Sequence, residues 1–167
     1  ASSSANPYLI EAMAGWNLHV SAKLREQDRA GVERARVLLR AQLDEIVRVV
    51  PAPALAELRK VPLYLSPEYP NERPRAEYHQ AAAWLRANGR DPRMEKSVEF
   101  TNVRIFDAEV RRMPLFVLHE LAHAVHHQQC RDGDRPPIEA CHEVVQWRVR
   151  APAEGAMGVR PRPEDHV

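Results

Sequence analysis

The segment His119-Glu120-Leu121-Ala122-His123 constrains this chain more than any other, because it sets two imidazoles and a carboxylate on one side of a helix. Residues four apart in an α-helix stand one above the other, separated by about one 5.4 Å turn. His119 and His123 can therefore aim ring nitrogens at a single point. Zinc accepts imidazole at ~2.0–2.1 Å in tetrahedral geometry, so two ligands from one helix leave room for a third protein group and a water. Glu120 is rotated by about 100° from His119 and stays near the face of His123, where its carboxylate can take a proton from that water. Histidine pairs at this spacing also occur on ordinary exposed helices. Here Leu118, Leu121, Ala122 and Val125 add a buried stripe beside the pair. The expectation is a Zn2+ site with His119 and His123 as ligands and Glu120 as general base.

His126 and His127 prolong the polar stripe, but His127 lies ~12 Å along the axis from His119, too far for one ion to hold all three. Gln129 stands where the metzincin pattern has its third histidine. Both extra histidines are expected to take no part in metal ligation. The third ligand must then come from elsewhere. Glu139 and Glu143 are four apart on a helix expected over 137–148. Glu143 follows His123 at a spacing like that of thermolysin-type enzymes. The Glu-x-x-x-Asp pattern of those enzymes, laid on the pair, makes Glu139 the ligand and Glu143 the residue that orients a histidine. Glu143 is preferred as ligand because it allows the longer connection back to the metal, and Glu139 stays open.

Tyr78-His79, Trp84-Leu85, Val98-Glu99 and Leu118-His-Glu-Leu-Ala-His-Ala-Val-His-His together resemble a family of bacterial zinc metallopeptidases. That family is similar to the gluzincins and to the catalytic domain of the anthrax lethal factor type. The resemblance covers roughly residues 16–145, and its specific part surrounds His119. It implies a zincin-like fold and a hydrolase that cleaves a peptide or protein substrate with a zinc-activated water. It also implies an edge strand above the active helix that binds the substrate backbone, with Ser97 to Phe106 as the candidate, and Tyr78 or His79 as a group that polarises the scissile carbonyl. Such proteins usually take their third ligand from a helix of the type Glu-Tyr-Phe-Ala-Glu. No such segment follows His123. Either Glu139 or Glu143 takes that place, or the chain is a catalytically incomplete zinc-binding or protein-interaction domain that retains the helix.

The rest of the sequence sets the frame. Lys and Arg total 24 against 23 Asp and Glu, a formal charge of +1, which gives no electrostatic case for nucleic acid as a partner. No apolar run approaches the ~20 residues of a membrane span. The opening Ala-Ser-Ser-Ser-Ala-Asn-Pro, without Met, favours a secreted or periplasmic protein and fits a trimmed chain equally. Cys130 and Cys141 are compatible with a disulfide or with free thiols.

Periodicity gives an α+β fold: a small mixed sheet of three or four short strands, a long backing helix, and the metal helix beneath the sheet. Residues 1–15 read as a flexible tail, 16–150 as one metallopeptidase domain and 151–167 as an irregular tail. Trp16 to Val20 alternates as a strand, and a long amphipathic helix runs from Ser21 or Gly31 to Val50. Ala54 to Arg59 forms a short helical turn. Val61 to Pro67 reads as a strand, with Pro62 near its start or on an edge. Residues 66–77 form a loop, Ala81 to Ala87 a helix ended by Asn88-Gly89, and Val98 to Phe106 a strand. Pro114 sits near the first turn of the metal helix. Trp84 and Trp147 are expected to be packing anchors.

Overall fold

The computed structural model describes residues 6–129. Glu139, Glu143, Cys130, Cys141, Trp147, the helix expected over 137–148 and the tail 151–167 lie outside the described residues. The fold is mixed α+β, with five strands in the order β1-β2-β3-β5-β4. They are β1 (Tyr8–Met13), β2 (Trp16–Ser21), β3 (Leu63–Leu65), β4 (Ala76–His79) and β5 (Ser97–Phe100). The helices are α1 (Ala22–Gln27), α2 (Arg29–Val49), α3 (Ala52–Leu58), α4 (Ala82–Ala87), α5 (Phe106–Arg112) and α6 (Phe116–Gln129). Among the described residues no helix is long and apolar enough to cross a membrane.

β2, β3 and β5 run parallel, while β1 and β4 flank them antiparallel. Alternation sends Trp16, Leu18, Val20, Leu63, Leu65, Val98 and Phe100 to one face, where all are buried. Against it lies α2, whose Val32, Ala35, Leu39, Leu43 and Ile46 recur at helical spacing and are all fully buried. The caps explain where the first helices begin. Ser21 accepts from the Leu24 N–H at 3.3 Å and Asp28 from the Gly31 N–H at 2.9 Å, so the chain stops and restarts at Asp28.

Five expectations need correction. Residues 8–13, inside the segment read as a tail, form β1 and pair along their whole length with β2. Ala14 and Gly15 turn the hairpin with φ of 52° and 93°, the two positive values of a tight two-residue turn. Among the described residues the sheet has five strands, not three or four. β4 begins within the expected loop 66–77, because its backbone pairs with β5 from Ala76 to His79. The strand expected over 98–106 ends at Phe100, and Phe106 already opens α5. β5 is also interior, lying between β3 and β4, so it cannot be the edge strand above the metal helix. Pro62 precedes β3, which is interior too, and its carbonyl still accepts from the Val98 N–H at 3.0 Å.

Gly15 is required at the hairpin for a second reason. A Cβ there would come within 2.5 Å of Arg59 Nε. Arg59 is held in place, donating to the Ala14 carbonyl at 3.0 Å and lying 5.5 Å from the Trp16 ring. Gly15→Val is expected to cost about 1–3 kcal/mol through backbone strain and displacement of Arg59. Urea unfolding checks this, and a midpoint equal to wild type would contradict it.

Candidate metal centre

α6 positions the site because one side of it is apolar and the other is not. Phe116, Val117, Leu118, Leu121, Ala124 and Val125 are buried in the main core. At 100° per residue, His119, Glu120, His123, His126 and His127 then share an arc of about 120° on the other side. The start of the helix is tied to α2. Gln42, buried in α2, accepts from the Val117 N–H at 3.2 Å and so satisfies one of the orphan donors of the first turn. α6 packs against β4 and β5, beneath the outer end of the sheet.

The two expected ligands meet. His119 Nε2 and His123 Nε2 lie 2.9 Å apart, with ring planes at 87°. Two nitrogens ~2.0–2.1 Å from one tetrahedral ion stand about 3.4 Å apart, so a small opening of this pair gives the spacing zinc requires. Two imidazole nitrogens this close are a donor pair whose chemistry suits a zinc ion. Among the described residues, however, no group of three or more His, Cys, Asp or Glu is placed to hold an ion. Both expected sources of a third ligand, Glu139 and Glu143, lie outside the described residues.

Glu120 opens onto a groove of about 500 Å³ between α6 and the sheet's outer strand. α6 lines it with Glu120, His123, His126 and His127, and β4 with Ala76, Glu77 and Tyr78, followed by Gln80. Burial pushes the Glu120 carboxyl up to about 7, the negative charge of Glu77 adds to this, and Arg75 opposes it. A carboxylate poised near neutrality can both accept and return a proton.

Tyr78 and His79 part company. Tyr78 lines the groove; its hydroxyl is 3.4 Å from Gln128 Nε2 and its ring 5.8 Å from that of His127. Its side chain is on the same face as Glu120. His79 projects to the opposite face of β4, is 2% exposed, and bonds through Nε2 to Glu99 Oε2 at 2.8 Å. It is removed from Glu120 by the strand itself, so only Tyr78 remains a candidate to polarise a carbonyl.

Behind β4 lies a charge cluster that the sequence reading missed. Glu99 is fully buried in β5 and accepts from the Tyr69 hydroxyl at 2.8 Å as well as pairing with His79. Burial, reinforced by the Glu99 charge, pushes the Tyr69 hydroxyl well above its usual range. Arg90, 3% exposed in its side chain, bonds Glu77 at 2.7 Å, pairs with Glu72 and lies 3.7 Å from Glu99. Its guanidinium stands 4.5 Å from the Tyr69 ring and 5.0 Å from that of Trp84. Burial disfavours ionised Glu77, but its bonds from Arg90 and Arg75 outweigh this and hold its carboxyl below the usual range. Glu77 thus joins the buried cluster to the groove. Trp84, expected to be a packing anchor, is 44% exposed.

No protein-family model matches the chain, and comparison with curated proteins and with solved structures found no significant match.

Proposed function

We propose that the protein is a zinc-dependent metallopeptidase that hydrolyses peptide bonds at the groove between β4 and α6. One observation carries the reading: the Nε2 atoms of His119 and His123 converge to 2.9 Å beside a groove that sets Glu120 against the outer strand of the described sheet. His119 and His123 would hold the zinc, with Glu143 or Glu139 as third ligand. When bound, zinc polarises the scissile carbonyl and lowers the pKa of a coordinated water towards ~7. Glu120 takes the proton from the attacking water and delivers it to the leaving amine. β4 is the sheet's outer strand among the described residues, so an extended peptide can add to its edge by backbone hydrogen bonds. This transfers the substrate-binding role from Ser97–Phe106 to Ala76–His79. Tyr78 is available from the same wall to bond the carbonyl oxygen.

A second reading has one observation in its favour. Residues 6–129 contribute two convergent ligands and no third, as a zinc-binding or protein-interaction domain without catalysis would.

The two readings separate in one experiment. Purified protein is expected to hold one zinc per chain, to cleave quenched peptides or casein, and to lose cleavage with chelator. His119→Ala and His123→Ala should each lose bound zinc and cleavage together. Stoichiometric zinc without cleavage, unchanged by Glu120→Ala, selects the non-catalytic reading. Absence of zinc from wild type, with stability unaltered by His119→Ala, removes both.

A further inference from the structure

A second cavity, of about 220 Å³, lies on the other face of β4. It shares Glu77, Tyr78 and Gln80 with the larger groove and is completed by His79, Ala81 and Trp84. The two flank the outer strand, one on each face. Drug-sized ligand sites begin at ~300 Å³, so the smaller cavity suits a single side chain more than a separate ligand.

The lining decides which side chain. Glu77 has one carboxylate oxygen bonded to Arg75 at 2.8 Å and the other to Arg90 at 2.7 Å. His79 Nε2 is occupied by Glu99. The Tyr78 hydroxyl lies near Gln128, on the α6 side. What the cavity offers an incoming group is the indole of Trp84, an exposed large apolar surface. That ring is held in place, with Arg90 at 5.0 Å and the His79 ring stacked at 5.9 Å and 25°. A fixed aromatic surface beside a carboxylate already bonded to two arginines favours an apolar or aromatic guest.

Strand addition supplies the geometry. Successive side chains of a peptide lying along β4 point to opposite faces of the sheet. One set faces Glu120 and His123; the alternate set faces Glu77 and Trp84. We infer that the cavity beside Trp84 is a specificity subsite that takes a large apolar or aromatic side chain of the peptide, next in register to residues facing α6. The inference rests on the β4–α6 groove being a peptide site.

The test moves one Phe along an otherwise Ala-Ser quenched peptide and measures kcat/KM with the zinc-loaded full chain. One Phe position is expected to raise kcat/KM about tenfold or more over the Phe-free peptide. This ratio should fall to near one in Trp84→Ala. It should fall likewise in Ala81→Leu, which narrows the cavity and keeps the Trp84–Arg90 contact; zinc content reports on folding in both. The same peptides, dye-labelled, are titrated into zinc-loaded Glu120→Gln and followed by anisotropy. Cleavage without preference for any Phe position, or a preference that both variants keep, overturns the subsite and leaves the peptidase reading standing. A Phe-dependent affinity lost in Trp84→Ala, with no cleavage by wild type, keeps the subsite and overturns the hydrolytic reading. Neither binding nor cleavage of any peptide overturns both.

Discussion

Glu120→Gln is expected to lower kcat for peptide cleavage by about 10²–10⁴-fold, the range for loss of a positioned general base, with zinc content unchanged. The same substitution should stabilise the metal-free protein at neutral and alkaline pH. The folded chain raises this carboxyl from 4.5 to about 7, chiefly by burial, so it holds the proton more tightly than the unfolded chain does. Its contribution to stability is then fully present below pH ~4.5 and is lost as pH rises to about 7. The loss is up to about 3 kcal/mol, reduced by the solvent that reaches Glu120 in the groove. Gln cannot ionise, so the part of the fall that Glu120 causes should be missing from its curve. Urea midpoints with chelator at pH 5 and pH 8 measure this. Parallel curves would show that Glu120 is not desolvated, and cleavage unaffected by the substitution would exclude it as the base. A site that gains stability when its acid is removed is one in which strain has been kept for function.

The parts of the fold that were legible in the sequence are those whose apolar pattern matches what is buried. α2 declared itself through Val32, Ala35, Leu39, Leu43 and Ile46, and α6 through Leu118, Leu121 and Val125. β1 was illegible because Leu9 and Ile10 are adjacent and half-exposed, which leaves no alternation to read. β5 misled in a subtler way. Ser97-Val98-Glu99-Phe100 alternates like a strand with one wet face, yet Glu99 is as buried as Phe100. Its charge is answered by Tyr69, His79 and Arg90, none of which pattern reading connects to it. β4 was lost for the same reason, since its inward positions Glu77 and His79 belong to that cluster. α5 is marked by charge more than by apolar pattern: Asp107 and Glu109 open it, Arg111 and Arg112 close it, and the pairs bond at i,i+4 and i,i+3. At the site, helical geometry alone brought His119 and His123 together. The expected sources of a third ligand, Glu139 and Glu143, lie outside the described residues.

The second large effect is expected at Arg90, which holds the groove's outer wall from behind. Its guanidinium serves Glu77, Glu72 and Glu99 at once and is stacked between Tyr69 and Trp84. Arg90→Met keeps the length of the side chain and removes the guanidinium that lies 3.7 Å from Glu99. Removing one partner of a buried ion pair costs about 3–5 kcal/mol, because the other charge is left uncompensated. For a chain of this size that corresponds to a fall in Tm of roughly 6–20 °C. Arg90→Lys should recover part of the charge but not the forked bonding or the stacking. Arg90→Met with Glu99→Gln should be less destabilised than the sum of the two single changes, since the orphaned charge is gone. Calorimetry on the four proteins decides the point, and strict additivity would show that Arg90 and Glu99 do not interact. Zinc content provides the contrast. α6 is held by its apolar face and by Gln42, not by Arg90, so zinc should stay bound below the lowered Tm. Peptide affinity should fall, because Glu77 and Trp84 lose the residue that fixes them.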